Sequence, residues 1–186
     1  MNIQSAITEG TKILQAKHIQ TALLDAEILM AKAIGKDRKY IILNNDKDIQ
    51  DQNLKHFKEL IKERSFSKPI AHLTNRKFFW NLEFFVTGDT LIPRPDTELI
   101  IEQILKLTSH KSIMNILDIG VGSGCILLSI LNERKNFYGT GIDISKNCIN
   151  ISKINAKNIK VNTRTRFFKT DVDKFCFGKY DLIVSN

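Results

Sequence analysis

The chain has 186 residues, 42% of them hydrophobic and 26% charged, with a formal net charge of +8; this is the balance of a soluble globular protein able to bury a core. No stretch approaches the roughly 18 apolar residues of a membrane span, and MNIQSAITEGTK lacks the charged-then-apolar order of a secretory signal, so the expectation is a cytoplasmic protein with no membrane partner. Three widely spaced cysteines (Cys125, Cys148, Cys176) argue against a disulfide framework or a CxxC zinc pair, and four histidines without ligand spacing argue against a protein metal site.

Residues 1–75 read as a small helical bundle. Ile3, Ile7, Ile13 and Leu14 mark one helical face. Leu23, Leu24, Ile28, Leu29 and Ala33 mark a second, closed by Gly35 as a C-cap. A third helix is expected from Asp48, with Leu54, Phe57, Leu60 and Ile61 on one side and basic residues opposite. Lysine and arginine are dense from Lys55 to Lys77 and from Lys153 to Lys174. Such a balance suits an acidic partner, ribosomal or other RNA included, or a protein that sits on RNA. Ordinary solvated helix faces explain it equally, and no aromatic residues interleave with the basic ones as a stacking surface would need.

Residues 76–95 read as a hairpin and linker. In KFFWNLEFFVTG, aromatic runs flank a polar break at Asn81, the pattern of a β-hairpin. Its aromatics either wall a ligand or bury area at a domain junction. In TLIPRPDTELIIEQILKL, Pro93 and Pro95 hold the backbone extended, Asp96 or Thr97 can cap a helix, and Glu98 lies in its first turn. That reading leaves Arg94 without a reason.

Residues 96–186 read as an α/β unit. The expected strands are Asn115–Gly120, Tyr138–Asp143, Thr165–Asp171 and YDLIVSN, with helices from Cys125 to about Glu133 and from Ser145 to Ala156. This alternation implies right-handed crossovers and a parallel, doubly wound sheet. LDIGVGSG places Gly120, Gly122 and Gly124 where the first strand turns into a helix, at which the backbone can approach a ligand closely. The spacing is GxGxG, and Asp118 precedes it. A carboxylate there would repel a pyrophosphate but attract S-adenosylmethionine, which carries an ammonium and a sulfonium. Asp143 ends the second strand at the distance where an acid hydrogen-bonds a ribose, or else caps the next helix with Ser145. Asp171 and Val172 follow the third strand, where they could border an adenine.

LIPRPDTE, LDIGVGSG, GIDIS and DLIVSN, in this order and at this spacing, resemble the bacterial release-factor glutamine methyltransferase family. The junction PIAHLTNRKFFWNLEFFVTGDTLIPRPDTE resembles it too, although Thr74 stands where glycine is expected, and Val172 where the family often has an aromatic. The resemblance covers essentially the whole chain. It implies a helical substrate-recognition domain, a hairpin junction and a Rossmann-like class I methyltransferase domain of which only strands 1–4 are present, in the order 3-2-1-4.

The implied activity is transfer of a methyl group from S-adenosylmethionine to the side-chain amide N5 of the glutamine in the Gly-Gly-Gln motif of peptide-chain release factors. Asp118, Gly120, Val121, Gly122, Ser123, Gly124, Asp143, Asp171 and Val172 would line the cofactor. Asn186 would be the catalytic residue, the first of an Asn-Pro-Pro-Tyr signature, accepting a hydrogen bond from the substrate amide so that its nitrogen faces the methyl group. Arg94 would contact substrate, either closing the site or serving the helix start. The rest of the signature would follow Asn186, so the expectation is an inactive N-terminal fragment whose last strand is an edge suited to burial on both faces. Two other readings are a nucleic-acid amino methyltransferase and a non-catalytic remnant that binds release factors.

Overall fold

A computed structural model describes all 186 residues, Met1 to Asn186. They divide into two compact units, Met1–Thr74 and Asn75–Asn186.

The first unit contains α1 (Ile3–Gln15), α2 (Ala22–Ile34), α3 (Arg38–Leu43), α4 (Asp51–Ser65) and α5 (Ile70–Thr74). Short polar side chains start two of them: Asn2 Oδ1 accepts from the Ser5 amide at 2.8 Å, and Asp37 Oδ1 from the Tyr40 amide at 2.7 Å. Gly35, in the left-handed conformation, ends α2 as its sequence implies. The helix expected from Asp48 starts at Asp51, because the preceding residues are held by the N-terminus. The Ile3 amide donates to the Lys47 carbonyl at 2.9 Å and the Ile49 amide to the Met1 carbonyl at 3.0 Å. The apolar faces of α1, α2 and α4 supply the core, with Leu14, Leu29, Met30 and Phe57 buried. Gly10 permits close packing: a Cβ there would meet Phe57 Cζ at 2.9 Å.

One ion pair lies in this interior. Arg64 Nε donates to Asp25 Oδ2 at 2.8 Å, and Arg64 Nη1 to the Lys68 carbonyl at 3.2 Å. Asp25 is buried in α2, so the pair ties α2 to the end of α4.

The second unit opens with a hairpin of β1 (Arg76–Phe79) and β2 (Leu82–Phe85), with Phe79 opposite Leu82. Its two-residue turn takes Trp80 and Asn81, both at positive φ (50° and 57°). The break therefore includes the tryptophan as well as Asn81, a strained conformation for a bulky residue. Two acids hold it there: the Trp80 amide donates to Glu98 Oε1 at 2.8 Å, and its indole Nε1 to Glu133 Oε1 at 3.1 Å.

A 3-10 turn (Pro95–Thr97) leads into α6 (Glu98–Leu107). Then β3 (Met114–Ile119), α7 (Cys125–Glu133), β4 (Phe137–Asp143), α8 (Lys146–Asn158), β5 (Thr165–Lys169) and β6 (Leu182–Ser185) follow. The sheet order is β5-β4-β3-β6, all neighbours parallel, which is the 3-2-1-4 order expected for the four strands. Gly139 in β4 lets α7 press on the sheet, since a Cβ there would lie 2.6 Å from Leu127 Cδ1. Arg164, within the second basic run, is turned inward and donates to the carbonyls of Leu131, Arg134 and Phe137 at 2.7, 2.9 and 2.7 Å. That arginine serves the α7–β4 corner. Strand β6 stands at the end of the sheet, with Val184 buried and Ile183 59% exposed.

Asp25→Ala should destabilise the helical unit by about 3 kcal/mol in urea denaturation, since it leaves Arg64 without its carboxylate in a mostly buried setting. A change below about 1 kcal/mol, the usual worth of an exposed pair, would contradict that account.

Candidate functional site

Parallel strands deliver their carboxyl ends to one edge, and on this edge the sequence places glycines, acids and Asn186. The Gly120–Gly124 loop joins β3 to α7. Gly120, Gly122 and Gly124 all have positive φ (72°, 54° and 82°), a conformation that side chains rarely tolerate. The first two also leave room. An added Cβ at Gly120 meets nothing within 4 Å and at Gly122 only the Gly120 carbonyl at 3.8 Å, whereas at Gly124 it would meet Leu128 Cδ1 at 2.8 Å. The outer rim of the loop is therefore open, and its last glycine serves packing.

The loop is fixed on its inner side. The amides of Gly120 and Val121 both donate to the Ile142 carbonyl, at 2.9 and 3.0 Å. The Gly122 amide donates to Asp143 Oδ2 at 3.0 Å. Asp143 Oδ1 accepts from the Ser145 amide at 2.8 Å, and Ser145 Oγ accepts from the Cys148 amide at 3.3 Å as the N-cap of α8. Each Asp143 oxygen has a second lone pair, and the residue is only half-buried. Asp143 thus braces the loop and the helix start while keeping acceptor capacity toward solvent.

Asp118 is 2% exposed. It shares a register position with Gly141, on the sheet face covered by α7. Burial raises its pKa to about 7; a bond from the Leu127 backbone amide pulls the other way, and the charge of Asp143 adds to the rise. Burial likewise lifts the Cys125 thiol to about 11, so it stays protonated near neutral pH.

Asn186 follows β6, whose Ser185 is in register with Ile119 just before the loop. Ser185 Oγ donates to the Ile119 carbonyl at 3.1 Å. Asn186 Nδ2 donates to Thr97 Oγ1 at 3.2 Å. Thr97 is buried at the N-cap of α6 but makes no side-chain capping bond; its hydroxyl holds Asn186 instead. This bond leaves Asn186 Oδ1 as an acceptor. Its neighbour Glu98 holds the hairpin turn, so the last two residues of LIPRPDTE each reach a distant segment. Arg94 is exposed, and its carbonyl accepts from the Thr97 amide at 3.1 Å. Its side chain joins no ion pair.

The strand order brings the loop, Asp143 and Asn186 onto three adjacent strands. From the β4 end to the β6 end is two strand spacings, roughly 10 Å. Asp171 and Val172 lie one strand further, after β5. Asp171 Oδ1 accepts from the Asp173 amide at 3.2 Å, and Val172 is 48% exposed.

Two groups escape the sequence reading. Ser152 and Asn155, both fully buried on α8, reach the loop from beneath; two polar residues on an otherwise apolar helical face are the signal that could have found them. Phe168, Phe175, Phe177 and Tyr180 form a ring cluster with centroids 5.8 to 6.5 Å apart, in the segment that carries Lys169, Lys174 and Lys179. Basic and aromatic residues do interleave there.

Known families match segments of both units of the chain. The family model for the PrmC N-terminal domain matches residues 5–74, and that for the methyltransferase small domain matches residues 95–186. A release factor glutamine methyltransferase of Buchnera aphidicola (subsp. Acyrthosiphon pisum) is 34% identical over 100% of this chain and 66% of its own length. One from Shewanella oneidensis is 33% identical over 98% and 65%. An RNA methyltransferase from Salinibacter ruber, solved in complex with S-adenosyl-L-homocysteine, aligns at 20% identity over 50% of this chain and 60% of its own, with a TM-score of 0.45. The chain thus spans about 65% of the length of the curated relatives it matches. Two family models in tandem and relatives aligned across essentially all of its residues identify the chain as a member of the release factor glutamine methyltransferase family.

Proposed function

We propose that the carboxyl edge of β6-β3-β4-β5 binds S-adenosylmethionine and that the chain serves the methylation of the Gly-Gly-Gln glutamine of peptide-chain release factors at its side-chain nitrogen. The observation that carries this reading is the placement of an open-rimmed glycine loop between an acid, Asp143, and an amide, Asn186, on neighbouring strands. Gly120–Gly124 would hold the methionine part of the cofactor, with the Asp118 charge beneath. Asp143, whose oxygens each retain a lone pair, would accept from its ribose hydroxyls. Asp171 and Val172 would border its adenine.

When bound, the cofactor supplies an electrophilic methyl group. An amide nitrogen is a poor nucleophile because its lone pair is delocalised into the carbonyl, so the site's task is orientation more than proton removal. Asn186 Oδ1 accepts one substrate amide hydrogen and turns the nitrogen toward the methyl carbon. Arg94, exposed where the chain enters α6, is placed to meet the protein substrate. The helical unit recognises the release factor, with Lys58 and Lys62 on the exposed side of α4. A substrate of the translation apparatus places the chain in the cytoplasm, and no helix is long and apolar enough to cross a membrane.

The second reading is a nucleic-acid amino methyltransferase, favoured by the aromatic cluster among Lys169, Lys174 and Lys179 and by the net charge of +8. Because the expected fragment need not turn over, competition for binding separates the two. Release factor retained by the immobilised chain in the presence of excess RNA and DNA supports the first, and release factor displaced by nucleic acid overturns it.

The cofactor reading has a pH signature. Asp118 is neutral in the folded chain at acid pH and ionises near 7, and its anion favours a cationic ligand. Affinity for S-adenosylmethionine should therefore rise between pH 6 and pH 8 by a factor that Asp118→Asn removes, read calorimetrically as the difference between the two profiles. The same raised pKa makes the unliganded chain lose stability as pH climbs from about 4, where the unfolded carboxyl ionises, to about 7. Asp118→Asn should accordingly raise the thermal midpoint at pH 8 more than at pH 4. Parallel profiles in both measurements would contradict the assignment.

A further inference from the structure

Side-chain hydrogen bonds from α8 seize two consecutive carbonyls of the glycine loop. Ser152 Oγ donates to the Gly122 carbonyl at 2.7 Å, its one hydrogen lying also within reach of the Cys148 carbonyl one turn back at 3.0 Å, and Asn155 Nδ2 donates to the Ser123 carbonyl at 2.8 Å. The two residues are spaced i, i+3, which puts them on one helical face. Asn155 does more. Its Nδ2 also donates to the Phe85 carbonyl at 2.9 Å, while its Oδ1 accepts from the Phe85 amide at 2.7 Å. One amide side chain therefore pairs with the end of β2 as a neighbouring strand would, and spends its remaining hydrogen on the loop.

Packing does not account for these residue types. Both side chains are fully buried, serine and asparagine are mediocre helix formers, and a buried polar group is costly unless it is fully bonded. Both Asn155 hydrogens and its oxygen are used. What the pair gains is control of the loop: with the Gly122 and Ser123 carbonyls drawn toward α8, the open rim at Gly120 and Gly122 is left to the ligand, and the Gly122 amide is aligned on Asp143.

We propose that Ser152 and Asn155 are positioning residues for the cofactor loop, and that Asn155 couples the loop's conformation to the seating of the hairpin. The inference rests on the cofactor reading above. They touch no reacting atom. They act by holding the backbone that does the binding, so their loss weakens the cofactor without removing any of its contacts.

The test is calorimetric titration of S-adenosylmethionine into the 186-residue chain and into Ser152→Ala, Asn155→Ala and a control, Ile151→Val, buried on the same helix. All are measured well below their thermal midpoints, with NMR-detected amide exchange on the unliganded proteins. Ser152→Ala should bind roughly tenfold more weakly, the equivalent of one buried hydrogen bond. It should speed exchange at Gly122 and Gly124 and leave the Phe85 amide protected. Asn155→Ala should weaken binding at least as much and expose the Phe85 amide as well. Ile151→Val should lower the midpoint and leave affinity within about twofold. A purely structural role predicts that affinity ignores all three substitutions in folded protein; that result overturns the inference and leaves the cofactor reading intact. If wild type itself does not bind, the cofactor reading falls and takes this inference with it. If Asn155→Ala does not fold, Ser152→Ala decides alone.

Discussion

The site depends on how the five-residue backbone between β3 and α7 is held. A glycine-rich segment with three left-handed residues is entropically expensive to order, and its own contribution is limited to the burial of Val121 and Ser123 and one internal bond, from the Gly124 amide to the Val121 carbonyl at 2.7 Å. The remaining hold comes from outside: the Ile142 carbonyl and the Asp143 carboxylate on β4, and Ser152 and Asn155 on α8. These partners belong to consecutive elements of one crossover. The β4–α8 unit can therefore be regarded as the mould into which the loop is pressed.

The same economy appears on the other side of the site. LIPRPDTE would be an ordinary capped linker if Thr97 capped α6. Its hydroxyl instead holds Asn186, 89 residues away, and Glu98 holds the strained turn at Trp80. The hairpin is consequently fixed at its tip by acids and at its base by Asn155. Strain at a tryptophan with positive φ persists only where surroundings over-determine it, and here two carboxylates do so.

Much of the fold is legible because strand and helix alternate with glycines and acids at the boundaries. Helices α1 and α2 and the succession of four strands follow from pattern, although Ile13, Leu23 and Leu24, expected on the apolar helical faces, are exposed; the spatial order of the strands is implied by the family resemblance and is the order observed. Helices α3 and α5 do not, being six and five residues long, too short to display a helical period. The start of α4 is displaced by backbone pairing with Met1 and Ile3, a contact between segments far apart in sequence. The glycine loop and the strand-terminal Asp143 and Asn186 stand out for a similar reason: position at a strand end is local information. Asp118 shows the limit of that reasoning. Its charge was legible, but its burial under α7, and hence a pKa near 7, depends on tertiary packing. Ser152 and Asn155 are hidden for the same reason, since their partners lie 30 to 70 residues away.

The proposed cofactor position runs across the carboxyl ends of β6, β3, β4 and β5. A titration of the isotopically labelled chain with S-adenosylhomocysteine, followed by backbone amide shifts, tests it most directly. The expected result is a contiguous set of perturbed amides at Gly120–Gly124, Asp143–Ser145, Asp171–Val172 and Asn186, with the helices of the first unit unmoved. Shifts confined to the basic face of α4, or to the Phe175–Tyr180 segment without the glycine loop, would contradict it.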